Sequence, residues 1–150
     1  MTDPALRDEH PGRAMSHLFA LRVYFEDTDL AGIVYYANYL KFIERGRSEW
    51  IRTLGIDQMA LRRDEGVVFA VRRIEADYLS PARFGDDLVV RTGLAHAGGA
   101  RIELEQVVER GTERLFAARV TLVCLHGSGR AARIPPGLRQ RLARESLAGG

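Results

Sequence analysis

Two aspartates separated by one residue stand directly before the segment with the strongest helical pattern. Asp27 and Asp29 follow a short run of strand-forming residues, and the chain turns at Gly32 before apolar residues recur at helical spacing from about Asn38. In an extended segment, residues i and i+2 point to the same side, so the two carboxylates could share acid–base work. Loop aspartates also cap helices and close turns, so the residues alone leave a structural role open for both.

The start of the predicted helix is the second chemical feature of this stretch. A helix N-terminus carries unpaired N–H groups and a partial positive charge, which suit a developing oxyanion. A carboxylate therefore lies beside a place that can polarise a carbonyl group. The four histidines show no metal-ligand spacing, and the chain has no Rossmann, P-loop or serine-hydrolase motif, so we expect neither a metal nor a cofactor.

The composition predicts one globular domain. The chain has 150 residues, of which 46% are hydrophobic and 28% charged, a balance that allows a sizeable core. No apolar run is long enough to span a bilayer, and residues 1–17 lack the apolar stretch of a signal peptide, so we expect a cytoplasmic protein. The single cysteine, Cys124, lies in an apolar run and is expected in the core. A formal net charge of +2 does not indicate a nucleic-acid partner.

Three regions are expected along the chain: a flexible N-terminal arm at 1–17, a domain at 18–126, and a basic C-terminal tail at 127–150 with a short helix. Within the domain, the patterns predict one strand, two helices and four further strands. The expected strands are 18–25, 67–79, 88–96, 102–109 and 115–125, and the expected helices are 37–54 and 57–65. The four later strands are expected to form an antiparallel meander.

The helix at 37–54 must position the candidate reactive groups, because it begins where the aspartate loop ends. Its apolar residues form a broad face, which predicts a central helix covered by the sheet. Gly46 lies in its middle, where glycine costs roughly 1 kcal/mol relative to alanine. We therefore expect another element to approach the helix backbone closely at Gly46.

Many residues of this stretch match a known signature in register. They are Tyr24, Glu26, Asp27, Thr28, Asp29, Gly32, Val34, Tyr35, Tyr39, Phe42, Glu44, Arg45 and Arg47. The chain resembles the YbgC-like acyl-CoA thioesterases of the 4-hydroxybenzoyl-CoA thioesterase group, and DYLSPARFGD resembles a second segment of that family. The resemblance implies an α+β hot-dog fold, in which a five-stranded antiparallel sheet wraps around a long central helix.

The resemblance also implies an activity, the hydrolysis of an acyl-CoA thioester to free acid and CoA without a cofactor. In the family's motif the second aspartate, three residues before the glycine, is the catalytic carboxylate, and the matching residue here is Asp29. Its role could be that of a nucleophile or of a general base. The backbone N–H that polarises the thioester carbonyl matches that of Tyr36, where YbgC-like relatives often carry histidine.

Further residues are expected to bind the substrate. The tyrosines near the helix start favour a short-chain or aromatic acyl group over a long chain. An arginine fork suits the phosphates of CoA, because it donates two hydrogen bonds at once. The candidate binding residues are Tyr35, Asn38, Tyr39, Arg83 and Arg91.

The resemblance implies a homodimer or homotetramer in which both chains build the site. An alternative reading is a non-catalytic acyl-binding or scaffold protein associated with the Tol–Pal system. The arginines of the tail leave peripheral contact with a membrane or with envelope proteins open. A hot-dog dehydratase acting on a hydroxyacyl carrier protein would need a histidine with a separate acid, and no histidine falls in the loop or central helix.

Overall fold

The fold consists of one sheet and the helix that it encloses. The computed structural model describes residues 17–149, so the expected N-terminal arm lies outside the described residues apart from His17. A short 3-10 helix, Phe25–Asp27, precedes the aspartate loop. The other elements are β1 (His17–Arg22), α1 (Asn38–Thr53), α2 (Gln58–Glu65), β2 (Val67–Tyr78), β3 (Asp87–Ala97), β4 (Arg101–Arg110), β5 (Glu113–His126), β6 (Ala131–Ala132) and α3 (Pro136–Gly149).

The strands form one antiparallel sheet of order β1-β3-β4-β5-β2, to which β6 adds a short pair with β5. The expected α+β hot-dog architecture is confirmed. The expected meander is wrong for its first strand, because β2 pairs with β5 and leaves β3 to pair with β1. The 12 residues of β2 match the 14 of β5, so this pairing satisfies a long run of backbone groups. Alternation along a strand indicates its buried face and does not identify its neighbour.

Helix α1 begins and ends within one residue of the predicted bounds. Its buried face carries Tyr39, Phe42, Ile43, Gly46, Arg47, Trp50 and Ile51. Gly55 follows with a φ of +77°, a conformation that glycine adopts without steric cost and that ends the helix. None of the helices within residues 17–149 is long and apolar enough to cross a membrane.

The middle of α1 lies directly against β3 at Gly46. A Cβ atom built on Gly46 would lie 2.6 Å from Cγ1 of Val90, which is closer than non-bonded carbon atoms approach. The close approach expected from this glycine is therefore confirmed. Cys124 lies in the same core, and burial raises the pKa of its thiol to about 11.

A buried amide joins α1 to two strands. The Gln106 side chain on β4 donates to the Ile43 carbonyl at 2.9 Å and to Thr92 Oγ1 at 3.0 Å. Its Oε1 accepts from Arg47 Nη1 at 3.0 Å. Burial lowers the pKa of the Arg47 guanidinium, and the nearby Glu44 carboxylate opposes that shift. The Gln106 amide therefore satisfies polar groups that would otherwise be costly to bury.

Several apolar residues after 126 share the core with the rest of the chain. Ile134, Leu138 and Leu142 of the basic C-terminal segment are all buried in the hydrophobic core. Arg141 donates from Nη1 to the carbonyls of Leu54 and Gly55 at 3.4 and 2.9 Å. It therefore satisfies carbonyls that the end of α1 leaves without helical partners.

The contact at Gly46 predicts that Gly46→Ala destabilises the protein. Alanine favours a helix over glycine by about 1 kcal/mol, but overpacking a core costs about 1–3 kcal/mol, and the added Cβ lies within the contact distance of Val90. We expect the free energy of unfolding to fall by about 1–2 kcal/mol, measured by urea denaturation.

Val90→Ala provides the matched control, since it removes the Cγ1 methyl group that would lie 2.6 Å from the new Cβ. The double variant should lose less stability than the sum of the two single losses. A Gly46→Ala protein at least as stable as wild type would contradict the steric role of this glycine.

Candidate active site

The two aspartates lie in a tight loop between β1 and α1. Thr28 and Val34 face each other in an isolated antiparallel bridge. The Asp29 N–H donates to the Ile33 carbonyl at 2.9 Å, and the Gly32 N–H donates to the Asp29 carbonyl at 3.0 Å. The loop therefore folds back on itself and holds Asp29 by its backbone.

The Asp29 side chain is exposed and only partly engaged. Its Oδ1 accepts from the Ala31 N–H at 2.8 Å, which is the bond of an Asx turn. Within residues 17–149, no hydrogen bond reaches Oδ2 of Asp29. One carboxylate oxygen thus fixes the side chain, while the other, on an exposed residue, has the chemistry of a base or nucleophile.

Asp27 differs from Asp29, because its polar groups hold the loop together. Its Oδ2 accepts from the Tyr24 N–H at 2.8 Å. Its carbonyl accepts from the Tyr35 N–H and from Asn38 Nδ2, each at 2.9 Å. Asp27 therefore connects the end of β1 to the start of α1, which is a structural use of its carboxylate and carbonyl.

The chain between this loop and α1 leaves two N–H groups free. The Tyr35 carbonyl accepts from the Asn38 N–H at 2.8 Å, and the Ala37 carbonyl accepts from the Leu40 N–H at 3.2 Å. In the part of the chain that the structure describes, the N–H groups of Tyr36 and Ala37 have no acceptor. These groups lie at the positive end of α1, where they can stabilise negative charge on an oxygen atom.

The predicted binding residues at the helix start differ in exposure. Tyr35 and Tyr36 are exposed, and their ring centroids lie 4.7 Å apart. The Tyr36 side chain raises the pKa of Tyr35, chiefly through a hydrogen bond between the two side chains. Asn38 is half-buried and is held through its bond to Asp27. Tyr39 is only 3% exposed, stacks on Phe116, and accepts from the Ala82 N–H at 3.0 Å. Burial raises the pKa of Tyr39, so its hydroxyl belongs to the core.

The two predicted arginines lie in different surroundings. Arg83 forms an isolated bridge with Ile33, which places it beside the aspartate loop, and its side chain is exposed. Arg91 lies on β3, opposite Leu18 of β1, and its Nε donates to Glu109 at 2.8 Å. The structure thus brings Arg83 to the loop, whereas the Arg91 charge is already paired with a carboxylate.

Tyr78 is a site neighbour that sequence reasoning missed. Its hydroxyl donates to the Tyr36 carbonyl at 2.9 Å across 42 residues of sequence. Its ring packs against Tyr39 and Phe116 at centroid distances of 5.5 and 5.0 Å. The available signal was its place in the DYLSPARFGD segment, which already resembled a family motif.

Asp86 stabilises the segment that faces the aspartate loop. Its Oδ2 accepts from the Arg83 N–H at 2.8 Å and from Arg110 Nη1 at 2.7 Å, and Arg110 also binds Glu113. Burial by itself raises the pKa of Asp86, but these bonds outweigh it and hold the pKa below its ordinary value. No group of three or more potential metal ligands occurs within residues 17–149.

Known proteins are similar to this chain in sequence and in fold. The thioesterase-like superfamily matches residues 23–142. The acyl-CoA thioesterase YbgC of Haemophilus influenzae is 41% identical over 107 residues, which are 71% of this chain and 79% of that protein. The 1,4-dihydroxy-2-naphthoyl-CoA hydrolase of Thermosynechococcus vestitus is 29% identical over 104 residues, 69% of this chain and 71% of that protein. The crystal structure of a probable thioesterase from Bartonella henselae has a TM-score of 0.77 and 38% identity, and covers 79% of this chain and 98% of that chain.

The bonds to Asp86 predict that Asp86→Asn lowers stability at neutral pH by about 1–2 kcal/mol. A group whose pKa is lower in the folded state stabilises the fold above its unfolded pKa, and that stability is lost as the pH falls through the folded pKa. Urea denaturation should therefore show variant and wild type converging below about pH 4.

Asp64→Asn is the control, because Asp64 pairs on the surface with the adjacent Arg63. It should change stability little at any pH. A difference between Asp86→Asn and wild type that persists undiminished at pH 2–3 would contradict a charge-dependent role for Asp86.

Proposed function

This chain belongs to the thioesterase-like superfamily and is an acyl-CoA thioesterase, and we propose that it hydrolyses short-chain or aromatic acyl-CoA with Asp29 as the catalytic carboxylate. The observation that carries the proposal is that the Asp29 carboxylate and the Tyr36 N–H both lie in the segment that leads into α1. An exposed carboxylate with a free oxygen lies in the loop that is bonded, through Asp27, to the start of α1. The N–H of Tyr36 at that start is without an acceptor in the described chain.

The proposed reaction needs an attacking oxygen and a place for the carbonyl charge. Asp29 either attacks the thioester carbon, forming an anhydride that water then cleaves, or removes a proton from the water that attacks. In both routes the carbonyl electrons move to oxygen, where the Tyr36 N–H stabilises the charge. The tetrahedral species then collapses and expels CoA as thiolate, which takes up a proton. A carboxylate and an oxyanion donor are sufficient for these steps.

The proposed substrate class rests on the surroundings of the helix start. Tyr35 and Tyr36 offer exposed rings, on which a flat acyl group can stack. Tyr39 is buried and packs against Tyr78, whose ring also contacts Tyr36. This aromatic packing next to the helix start favours a short or aromatic acyl group over a long chain. The naphthoyl-CoA hydrolase among the relatives supports an aromatic group by its name.

Arg83 is the better of the two candidates for the CoA phosphates. Its guanidinium is exposed, and its backbone is bridged to the aspartate loop at Ile33. Arg91 would first have to leave Glu109, with which it forms a hydrogen-bonded ion pair. We therefore assign Arg83 to the CoA side of the site and regard Arg91 as a secondary candidate.

We further propose that two copies of the chain pair through β2 and that the site needs both. The outer edge of β2 pairs with no strand within residues 17–149, although this strand is 12 residues long. Val71 on β2 is 44% exposed and Tyr78 at its end is 49% exposed. Unpaired edges of this length are normally covered, and a second copy would extend the sheet across a twofold axis.

The first prediction from this proposal is that Asp29→Asn removes most of the turnover. Asparagine preserves the size of the side chain and can still accept from the Ala31 N–H, but it loses the charge and the basicity. Loss of general-base work costs about 10²–10⁴-fold, and loss of a nucleophile costs at least as much. The measurement is thiol release from acetyl-, butyryl-, benzoyl- and palmitoyl-CoA, with folding checked by circular dichroism.

Asp27→Asn is the matched control in the same loop. Its oxygen can still accept from the Tyr24 N–H, so we expect a much smaller loss of turnover than for Asp29→Asn. A folded Asp29→Asn protein within a few-fold of the wild-type rate would rule out the assigned role. Wild-type turnover of none of the thioesters would favour the non-catalytic acyl-binding or scaffold role instead.

The second prediction concerns assembly. Light scattering at micromolar concentration should give a dimer or tetramer for wild type. Val71→Lys places a charge on the proposed edge and should shift the protein towards monomer and reduce turnover. Met59→Lys, which adds the same charge at an exposed apolar residue of α2, should change neither property. A wild-type monomer with full activity would contradict the claim that both chains build the site.

A further inference from the structure

We propose that Tyr78 is a positioning residue for the reaction, because its hydroxyl bond to the Tyr36 carbonyl orients the backbone that stabilises the oxyanion. The inference rests on the proposed function of the Tyr36 N–H. Tyr78 lies at the end of β2, so this bond joins the edge strand of the sheet to the start of α1.

The Tyr36 carbonyl depends on this side chain for its hydrogen bond. Its two neighbours, the carbonyls of Tyr35 and Ala37, accept from backbone N–H groups further along the chain. The Tyr36 carbonyl accepts from no backbone N–H within residues 17–149, and the donor that reaches it is the Tyr78 hydroxyl at 2.9 Å. The segment just before α1 therefore contains one peptide group whose carbonyl is held by a side chain far away in the sequence.

Peptide geometry connects this bond to the Tyr36 N–H. The Tyr35 carbonyl and the Tyr36 N–H belong to one rigid peptide plane, which the Asn38 N–H holds through the Tyr35 carbonyl. The next plane contains the Tyr36 carbonyl, which Tyr78 holds. Both dihedral angles of Tyr36 lie between these two planes, so holding both planes fixes the direction of the N–H. Removal of the Tyr78 hydroxyl releases the second plane.

Tyr78 is itself well supported. Its backbone pairs with that of Phe116 across β2 and β5, and its ring meets the rings of Phe116 and Tyr39 edge to face. The Tyr39 ring stacks on Phe116, and the Tyr39 hydroxyl oxygen accepts from the Ala82 N–H. Burial raises the pKa of Tyr78, so its hydroxyl keeps the proton that it donates through the neutral range.

The test is Tyr78→Phe, which retains the ring and removes the hydroxyl. We expect kcat for the best acyl-CoA to fall about 3- to 10-fold, the size expected for one neutral hydrogen bond, while KM stays within about twofold. Amide NMR should show altered shifts and faster hydrogen exchange at Tyr36 and Ala37. Tyr24→Phe, which removes the hydroxyl of another exposed tyrosine, should leave kcat and these amides unchanged.

Each outcome of the Tyr78→Phe experiment either supports or overturns the positioning role. The fall in kcat with the change at the Tyr36 amide supports positioning. An unchanged kcat in a folded Tyr78→Phe protein overturns this inference and leaves the proposed function intact. A rise in KM with kcat unchanged also overturns it, because the hydroxyl would then bind substrate in the ground state. Absence of turnover in both wild type and Tyr24→Phe overturns the proposed function and this inference with it.

Discussion

The close contact between α1 and the sheet is the constraint on which the rest of the structure depends. Gly46 lacks a side chain at the point where Val90 meets the helix, so the helix lies deeper in the sheet than any other residue would allow. Gln106 then binds the helix carbonyl of Ile43 within this interface. Steric fit sets the depth of the helix, and a directional hydrogen bond sets its register along the strands.

The position of the helix determines where its N-terminus meets the aspartate loop. A helix of 16 residues is a stiff rod, so fixing its middle restricts both ends. At its start, Asn38 binds the Asp27 carbonyl and Tyr78 binds the Tyr36 carbonyl. At its end, Arg141 binds the carbonyls of Leu54 and Gly55. These three polar contacts thus hold the two ends of α1, and with them the Tyr36 N–H, which is the candidate oxyanion donor.

The aspartates around the site differ in how their carboxylates are used. Asp27 and Asp86 use their carboxylates to hold loops, and each accepts at least one backbone N–H. Asp29 uses one oxygen in the same way. The two aspartates of the loop therefore differ, because the Asp27 carboxylate and carbonyl both hold the loop, whereas Asp29 retains one oxygen without a hydrogen bond among the described residues.

Much of the fold could be predicted from local pattern. The bounds of α1 and α2, the close approach at Gly46 and the burial of Cys124 all agree with the sequence expectations. These features depend on periodicity, capping chemistry and backbone freedom, which act over a few residues. The assignment of Asp29 and Tyr36 came from a family resemblance instead, since an Asp-Thr-Asp loop has structural uses as well.

By itself, then, the sequence determined the five long strands and the first two helices, because those elements follow from neighbouring residues. Only the tertiary structure decided that β2 pairs with β5, that Arg91 meets Glu109, and that the Tyr78 hydroxyl reaches the Tyr36 carbonyl. It also brought Leu138 and Leu142 of the basic C-terminal segment into the core. Such contacts join residues far apart in sequence, and they depend on how the sheet closes around α1. The spacing of apolar residues within a single helix or strand does not reveal that arrangement.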